Sequence, residues 1–229
     1  MRPPPDFNRL ARLYRWLEYV SFGPFLWRCR SHFLPQLAEC RCALVLGDGD
    51  GRFTARLLRA NPQIRITAVD ASSRMIASLE NAAGPHRNRL TTQVADLRKW
   101  EPPDTEQYDL IVTHFVLDCL ATDEIAALAR HLAPYVAPGA LWIISEFAIP
   151  QSRFGRAVAT PVVSFLYGAF RLITGLHQQA LPEYRRALGA AGWAVQTESV
   201  HLRGLLVSEL WTSQLPQTES RLRFHSSIQ

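Results

Sequence analysis

The sequence predicts an α/β protein built on a doubly wound, mostly parallel sheet of seven strands. Three observations lead to this fold class. Short aliphatic runs alternate with helical periodicities between residues 42 and 147, a glycine-rich turn directly follows the first run, and acidic residues follow the next two. Such alternation is typical of parallel strands joined by crossover helices. The 229 residues, 48% of them hydrophobic and 20% charged, are enough for one domain with its own core.

The individual elements follow from local composition and periodicity. Short runs rich in aliphatic and β-branched residues predict strands over 43–46, 64–69, 90–94, 110–113, 140–144, 194–197 and 205–211. Apolar residues spaced by three and four predict helices over 7–17, 25–37, 52–60, 72–83 and 122–136, with more helical sequence between 151 and 192. Gly204 lies between the last two strands, which we expect to form an antiparallel hairpin at the sheet edge.

Charge and cysteine content disfavour several classes of protein. The net charge is +5, but the basic residues are scattered and form no run interleaved with aromatic residues, which disfavours a nucleic-acid partner. The four cysteines have no metal-ligand spacing, so we expect reduced structural thiols and no bound metal. The uncharged stretch 157–170 is too short to cross a membrane, and the amino-terminal residues show no apolar segment of the secretory type. We therefore expect a cytoplasmic protein with no integral membrane segment.

The chemistry begins at the glycine-rich turn, Gly47-Asp48-Gly49-Asp50-Gly51, between the first strand and the first crossover helix. Glycines at alternate positions allow a tight turn and a close approach of the backbone to a ligand. A dinucleotide fingerprint would require a glycine at position 52, where this chain has Arg52. The lysine of a phosphate-binding loop is also missing. The spacing therefore disfavours a nicotinamide, a flavin or a nucleoside triphosphate.

Acidic residues follow the second and third strands. Asp70 ends the second strand and can accept two hydrogen bonds from a ribose diol, or it can cap the next helix. Ser72 or Ser73 can provide that cap, which would leave Asp70 for a ligand. Asp96 follows the third strand and can accept a hydrogen bond from the exocyclic amine of an adenine. The carboxyl ends of parallel strands lie at one edge of the sheet, so a shared ligand site is expected there.

These residues resemble the class I S-adenosylmethionine-dependent methyltransferases, through Gly47-x-Gly49-x-Gly51, Asp70, Ala95-Asp96, Tyr108 to Val112 and Pro138-Gly139. The resemblance implies a Rossmann-like methyltransferase fold and S-adenosyl-L-methionine as the cofactor. By that likeness, the glycine turn with Asp48 would carry the methionine part of the cofactor and Asp70 would hold the ribose. Met75, Asp96 and Leu97 would enclose the adenine, and Ala71, Ala95, Thr113 and His114 complete the expected cofactor-binding set.

The amino-terminal helices resemble those of the ubiquinone and menaquinone biosynthesis methyltransferases, in which this segment closes over the cofactor. Tyr14 stands at the tyrosine of that pattern and is expected to contact the cofactor. One departure concerns Val45, because the family usually has an acid there that supports the methionine amino group. Asp48 is the available substitute, or the cofactor site is impaired.

Methyl transfer requires alignment of the acceptor and, for a hydroxyl or an acidic carbon, a general base. His114 at the end of the fourth strand is the first candidate base, and local packing is the alternative role. Asp118 is the second candidate, or it caps the helix that follows. His177 lies in the helical segment after residue 150, and its distance from the site is not determined by the sequence.

We expect a single methyltransferase domain over 1–229, with a helical lid (1–40), a cofactor-binding core (41–150), a helical annex over the substrate opening (151–192), a final strand pair (193–212) and a tail (213–229). The aromatic and aliphatic annex favours O- or C-methylation of a small, largely apolar or aromatic metabolite. A non-catalytic cofactor-binding or regulatory module is the alternative. A nucleic-acid methyltransferase is disfavoured, because Thr113 to Val116 is unlike the Asn/Asp-Pro-Pro-aromatic motif. Monomer and homodimer both stay open.

Overall fold

The computed structural model describes residues 24–103, 107–149 and 181–214. The strands are Cys42–Leu46 (β1), Arg65–Asp70 (β2), Leu90–Val94 (β3), Tyr108–His114 (β4), Val136–Phe147 (β5), Trp193–His201 (β6) and Leu206–Ser213 (β7). The α-helices are Pro24–Ser31 (α1), Arg52–Ala60 (α2), Ser73–Ala83 (α3), Thr122–Leu132 (α4) and Tyr184–Ala190 (α5).

All seven strands form one sheet in the order β3-β2-β1-β4-β5-β7-β6. The first five strands run parallel, and β7 is antiparallel to both of its neighbours. The expected doubly wound, mostly parallel sheet is confirmed. The final two strands are antiparallel as expected, but β7 lies inside the sheet against β5, and β6 forms the edge. The chain reverses its winding direction between β1 and β4, where ligands of such sheets bind.

Helices cover both faces of the sheet. On one face, α2, α3 and residues 33–40 bury an apolar layer that includes Val45, Phe53, Leu57, Leu79 and Val112. On the other face, α4 and α5 bury a second layer that includes Leu44, Ile111, Ile125, Trp142 and Leu188. Successive residues of a strand point to opposite faces, so each central strand contributes to both layers. Two-sided burial explains why these strands are apolar at almost every position.

Two predicted helices end earlier in the structure. The helix expected over 25–37 stops at Ser31, and a separate 3-10 turn follows over Leu34–Leu37. Pro35 explains the break, because it has no N–H group and its ring clashes with the carbonyl four residues earlier. The helix expected to reach residue 136 ends at Leu132 for the same reason, since Pro134 follows. A 3-10 turn over Ala133–Tyr135 follows, and strand β5 begins at Val136, four residues before the predicted strand.

The segment 33–40 also differs from its predicted role as part of a lid. Phe33 and Leu37 are buried in the same apolar layer as α2, so this segment belongs to the core. The start of β1 is fixed by Asp109 of β4, whose carboxylate accepts the backbone N–H groups of Arg41 at 2.7 Å and Cys42 at 3.0 Å. These two bonds give a structural role to Asp109, the acid that follows Tyr108 in the motif from Tyr108 to Val112.

Several expectations lie outside the described residues. These are the helix over 7–17, Tyr14, His177, most of the annex and almost all of the tail. Within the described parts of the chain, all four cysteines are free thiols, and no helix is long and apolar enough to span a membrane. The described end of the annex, α5, packs on the core through Tyr184, Ala187 and Leu188.

Candidate active site

The glycine turn connects β1 to α2 at the carboxyl edge of the sheet. Gly47, Gly49 and Gly51 all have positive φ angles, of 67°, 66° and 78°. A Cβ atom at Gly51 would lie 2.4 Å from the backbone Cα of Leu79, and one at Gly47 would lie 2.6 Å from a methyl carbon of Val116. Both the backbone conformation and the lack of space therefore require glycine at these two positions.

Asp48 lies beneath this turn and caps the helix that follows. Its Oδ2 atom accepts the backbone N–H of Thr54 at 2.9 Å, in the first turn of α2. Its Oδ1 atom is buried and has no hydrogen-bond partner among the described residues. Burial raises the pKa of Asp48 to about 6, although the Thr54 hydrogen bonds and the nearby Arg30 charge oppose the rise. The turn thus contains one buried carboxylate oxygen whose hydrogen bonding is incomplete in the described chain.

Val45 packs in the apolar layer beneath α2 and is only 1% exposed. It pairs with Ala68 of β2 and Val112 of β4, so its side chain lies inside a three-strand apolar surface. A carboxylate here would be surrounded by hydrocarbon, which is costly unless a cation or hydrogen-bond donor compensates it. Valine at position 45, in place of the acid usual in the family, therefore fits the apolar surroundings of this position.

Asp70 ends β2 and lies beside the glycine turn. Its Oδ1 atom accepts the backbone N–H of Ser72 at 2.8 Å, and the N–H of Gly49 also bonds to its carboxylate. Burial raises the pKa of Asp70 to about 6, against these two hydrogen bonds. Ser72 caps α3 by accepting the N–H of Met75 at 3.3 Å, so of the two serines that could cap this helix it is Ser72 that does so. Ala71, between them, is exposed.

Asp96 follows β3 and is adjacent to Asp70, because the N–H of Ala95 donates to the carbonyl of Asp70 at 3.0 Å. The carboxylate of Asp96 accepts the backbone N–H of Arg98 at 3.0 Å and forms an ion pair with its guanidinium at 3.3 Å. Ala95 and Leu97 are half-buried beside it, and Met75 is buried in α3. The structure therefore gathers the predicted nucleoside-binding residues along the ends of β2 and β3.

The end of β4 directs its two predicted residues to opposite faces. Thr113 accepts the indole N–H of Trp142 at 3.0 Å and is fully buried, so its hydroxyl lies in the core. His114 is 3% exposed, and its Nδ1 lies 2.9 Å from the hydroxyl of Ser145. Its ring packs edge-on against Phe53 at 4.5 Å. Burial, with the charge of Arg30, lowers the pKa of His114 well below its usual value, so the imidazole is neutral at neutral pH.

The loop after β4 is strained and is held by a buried acid. Phe115 has a φ of 56°, a conformation that bulky residues rarely adopt, and its N–H donates to the carbonyl of Ser145 at 2.7 Å. The Oε1 atom of Glu146, at the end of β5, accepts the N–H groups of Val116 at 3.2 Å and Leu117 at 2.9 Å. Glu146 is 1% exposed, and burial together with the charge of Asp118 raises its pKa well above the usual range.

Asp118 lies in this loop next to Glu146. The sequence left open whether it caps α4, and the structure assigns a capping bond to another residue. Glu124 accepts the backbone N–H of Ala121 at 2.8 Å at the start of that helix. The carboxylate of Asp118 accepts the thiol of Cys119 at 3.5 Å and is 9% exposed. Its role as a base stays a prediction, as does that of His114.

Helix α1 contributes a cation that the sequence analysis did not single out. The thiol of Cys29 donates to the carbonyl of Val207 at 3.3 Å and so fixes α1 to the start of β7. Arg30, the next residue, is 4% exposed, and its guanidinium carbon lies 5.2 Å from the centre of the Phe115 ring. Its charge opposes the burial-induced rise in the pKa of Asp48 and adds to the burial-induced fall in the pKa of His114. Arg30 therefore lies among the glycine turn, the end of β4 and the loop after it.

An apolar wall continues from this loop across the ends of β5 and β7. The rings of Phe115 and Phe147 lie 5.0 Å apart. They pack against buried residues of α1 and of the first position of β7, and against two leucines that precede β7. The whole set comprises Leu26, Cys29, Phe115, Phe147, Leu202, Leu205 and Leu206. We call this set the aromatic wall. Phe115 directly follows His114 in the chain, so the aromatic wall begins at the end of β4.

Arg30 and Glu146 were missed because their sequence contexts resemble ordinary structure. Arg30 is one of several arginines on a helix predicted to be part of a lid. Glu146 lies near the end of an apolar strand, and the available signal was a single acid one residue after a run of hydrophobic residues. Among the described residues, no group of three or more histidine, cysteine or acidic side chains is arranged to hold a metal ion.

The residues present suit a cofactor that combines a nucleoside with an amino acid. Half-buried Gly47 and Gly49 leave their backbone accessible, and the partly exposed carboxylate of Asp70 lies next to them. The buried Oδ1 of Asp48 adds an acceptor without a described partner at the same turn. Asp96 then extends the row of acceptors toward β3. This arrangement fits the expected order of methionine, ribose and adenine along the edge.

Comparisons with known proteins identify methyltransferases among the similar proteins. A family model described as a methyltransferase domain matches residues 44–142. The chain is 30% identical over 193 residues to malonyl-[acyl-carrier protein] O-methyltransferase of Halalkalibacterium halodurans, covering 80% of this chain and 68% of the relative. It is 27% identical over 205 residues to trans-aconitate 2-methyltransferase of an Azoarcus species, covering 87% and 72%.

Solved structures share the fold. The N-methyltransferase NodS of Bradyrhizobium japonicum, in complex with S-adenosyl-L-homocysteine, superposes with a TM-score of 0.61 at 15% identity, over 91% of this chain and all of NodS. Larger proteins also match, and the chain spans between 56% and 65% of the length of five of them. At these identities the structural matches establish the fold, and the curated relatives carry the family assignment.

Proposed function

The chain belongs to the class I S-adenosylmethionine-dependent methyltransferases, and from this premise we propose that it methylates an oxygen or a carbon of a small molecule with a largely apolar or aromatic part. The cofactor is S-adenosyl-L-methionine, which supplies a methyl group already activated on a sulfonium. The protein therefore has to bind both partners, align them and exclude water. The observation that carries this proposal is the aromatic wall beside the end of β4.

The cofactor half of the proposed site consists of the ends of β1, β2 and β3. We assign the methionine part to Gly47 and Gly49 and the ribose to Asp70 with Ala71. The adenine is assigned to Met75, Ala95, Asp96 and Leu97. Asp70 supports this assignment because its carboxylate is held by backbone N–H groups and is not consumed by an ion pair in the described structure. A carboxylate held in this way is pre-oriented for hydroxyl donors.

The acceptor half consists of the loop after β4 and the ends of β5 and β7. Phe115 and Phe147 provide ring surfaces onto which an apolar or aromatic acceptor can pack, and such surfaces are typical of small-molecule pockets. The two curated relatives support a small acceptor, since their names specify a malonyl group and trans-aconitate. The 44–142 match covers the cofactor half and the loop after β4 but stops before Phe147, so Phe147 and the start of β7 lie outside the matched segment.

Proton removal from the acceptor is assigned to His114 first and to Asp118 second. The imidazole of His114 is neutral, so it is in the correct protonation state to accept a proton. In the tautomer whose Nδ1–H donates to the hydroxyl of Ser145, Nε2 is the atom able to accept a proton. Nε2 is buried and has no hydrogen-bond partner among the described residues. A His114→Gln variant that retains full activity at every pH would transfer this role to Asp118 or show that no base is needed.

The test combines binding with turnover on the full chain. We expect S-adenosylhomocysteine to raise the melting temperature, and isotopically labelled S-adenosylmethionine to label members of a panel of phenols, aromatic and aliphatic acids, and alcohols. Phe147→Ser should raise the KM for the labelled acceptor at least tenfold and leave the affinity for S-adenosylhomocysteine unchanged.

Two outcomes contradict the proposal. If the protein binds the cofactor but labels neither a panel member nor any compound in a total metabolite extract, the result would favour the non-catalytic module. Labelling confined to transfer RNA would favour a nucleic-acid methyltransferase.

A further inference from the structure

We propose that Ser145 and Cys29 are positioning residues that hold His114 in the tautomer whose Nε2 atom is free to accept a proton. The inference rests on the proposed function, because His114 is the candidate base of that site. It assigns roles to a residue of β5 and a residue of α1, both outside the segment matched by the family model. The three side chains form one chain of hydrogen bonds that ends on a backbone carbonyl.

The first bond of this chain joins neighbouring strands. His114 is directly opposite Ser145 in the parallel pairing of β4 and β5, so the two side chains lie on the same face of the sheet. The Nδ1 atom of His114 lies 2.9 Å from the hydroxyl oxygen of Ser145. Ser145 is fully buried and His114 is buried, so solvent does not compete for this bond.

The second bond joins Ser145 to α1, and the third joins α1 to β7. The hydroxyl of Ser145 hydrogen-bonds the sulfur of Cys29. Burial raises the pKa of the Cys29 thiol to about 12, and the Ser145 bond opposes the rise, as a hydroxyl that donates to the sulfur does. The thiol hydrogen of Cys29 is donated to the backbone carbonyl of Val207 at 3.3 Å.

The carbonyl of Val207 sets the direction of the whole chain, because a carbonyl oxygen can only accept. Once the hydrogen of Cys29 is donated to this carbonyl, the sulfur is left as an acceptor, so the hydroxyl of Ser145 donates to it. The oxygen of Ser145 then accepts from His114, which places the ring proton on Nδ1. Each of the three donors thus has an acceptor, and Nε2 carries a free lone pair.

The other protonation states of the ring leave a donor without an acceptor. If Nε2 carried the proton, this N–H group would be buried with no acceptor among the described residues. A buried N–H group without an acceptor is costly and is rarer in proteins than an acceptor with an unused lone pair. Burial and the charge of Arg30 lower the pKa of His114, so the doubly protonated ring is disfavoured as well.

A fixed tautomer matters for the removal of a proton from the acceptor. A ring that keeps its proton on Nδ1 presents the Nε2 lone pair in every molecule, whereas a ring that exchanges tautomers presents it in only some of them. Loss of the group that holds a catalytic histidine in the correct tautomer strongly reduces turnover. Because Cys29 belongs to α1, the tautomer of His114 also depends on the docking of that helix on β7.

The first arm of the test identifies the tautomer by nuclear magnetic resonance of the isotope-labelled full chain, because a protonated and a free ring nitrogen differ in chemical shift. The signals are assigned to His114 by their loss in His114→Gln. We expect the wild type to carry the proton on Nδ1. Ser145→Ala removes the acceptor, and Cys29→Val removes the sulfur and frees the Ser145 hydroxyl to donate to Nδ1, so both should move the proton to Nε2 in a resolved fraction of molecules.

Three further variants separate this effect from a loss of packing. Cys29→Ser keeps a donor and an acceptor and should retain the Nδ1 tautomer. Ser208→Ala removes a buried hydroxyl from the β7 position opposite Ser145, and this hydroxyl has no hydrogen-bond partner among the described residues. Cys40→Ala removes a buried thiol from the core beneath α2. Both controls should keep the wild-type tautomer.

The second arm measures turnover of an acceptor that the panel identifies. Ser145→Ala and Cys29→Val should lower kcat roughly tenfold or more and leave the KM for the acceptor within about twofold, because the surfaces that bind the acceptor are unchanged. Cys29→Ser should keep kcat within about threefold of the wild type. The affinity for S-adenosylhomocysteine should stay constant across the set.

The proposal is overturned if the wild-type ring carries its proton on Nε2 or exchanges between the two nitrogens, or if folded Ser145→Ala or Cys29→Val keeps the Nδ1 tautomer. If neither variant folds, the wild-type tautomer decides. A tautomer that changes with no effect on kcat, or a fully active His114→Gln, would instead contradict the base assigned under the proposed function. The two failures are distinguishable, because the tautomer is measured without acceptor or turnover.

Discussion

The two halves of the site are built in different ways. In the cofactor half, the acids contact mainly residues close to them in sequence, as Asp70 does with Ser72 and Asp96 does with Arg98, and Gly49 is the more distant partner of Asp70. In the acceptor half, the corresponding contacts join distant segments. Glu146 holds the loop about 30 residues earlier, and Arg30 reaches the ring of Phe115 from α1. The cofactor half is therefore a local structure repeated at successive strand ends, whereas the acceptor half exists only after the whole sheet has formed.

The halves meet where Val116 touches Gly47. A side chain at Gly47 would overlap Val116, so the glycine turn and the loop after β4 cannot move independently. We therefore expect substitutions in the cofactor half to act through local contacts, and substitutions in the acceptor half to act through contacts between distant segments. Four substitutions test this contrast.

The largest effect is expected for Val45→Asp, which tests whether the cofactor half needs the acid usual in its family. The new carboxylate would be buried in hydrocarbon, so we expect destabilisation of about 4 kcal/mol or more and no gain in cofactor affinity. Chemical unfolding and calorimetry measure the two quantities. Val200→Asp is the control, because Val200 is 56% exposed on the edge strand and should change stability by less than about 1 kcal/mol. A tenfold tighter complex with Val45→Asp would mean that the natural site is impaired.

The second effect concerns Glu146→Ala in the acceptor half. Removing the carboxylate leaves the N–H groups of Val116 and Leu117 buried without an acceptor, which costs about 1–3 kcal/mol each, so we expect about 4 kcal/mol in total. Glu146→Gln keeps an acceptor oxygen and should lose about 1 kcal/mol or less. Urea unfolding gives both values. Equal losses for the two variants would show that the charge of Glu146, and not its hydrogen bonds, stabilises the loop after β4.

The third effect is a pH dependence at the contact between the halves. The folded-state pKa of Asp48 is raised to about 6, above its unfolded value near 3.8, so its stabilising contribution is complete below pH 4 and is lost as pH rises through 6. Asp48→Asn should match the wild type near pH 4 and exceed its stability by up to about 3 kcal/mol at pH 8. Unfolding at pH 4, 6 and 8 measures this, with the exposed Asp123→Asn, in the first turn of α4, as control. A constant difference across this range would contradict the burial cost assigned to Asp48.

The smallest effect is on cofactor affinity alone. Asp70→Ala removes the acceptor assigned to the ribose and should weaken S-adenosylhomocysteine by about 2 kcal/mol without unfolding the protein. Because burial raises the pKa of Asp70 to about 6, wild-type affinity should also fall as pH drops below 6 and this carboxylate becomes protonated. Calorimetry from pH 5 to pH 8 checks both statements. Unchanged affinity in the folded variant would remove Asp70 from the ribose site.

Local signals predicted most of the sheet. All seven strands were expected from short apolar runs, and the parallel core followed from their alternation with helices. The errors occur at element ends, where Pro35 and Pro134 stop helices that periodicity alone would have continued. The order β5-β7-β6 was only partly expected, because an antiparallel pair at the chain's end can present either strand to the sheet.

What the sequence by itself determined is the cofactor half. A glycine turn, Asp70 and Asp96 each follow a strand directly, and parallel strands bring their carboxyl ends to one edge without further information. Only the tertiary structure decided the acceptor half. Arg30 lies near Asp48 and His114 because α1 docks on β7, and Glu146 holds the loop after β4 because β5 lies beside β4. The physical reason is that burial and nearby charge, which determine the pKa and the orientation of these groups, depend on neighbours that are remote in sequence.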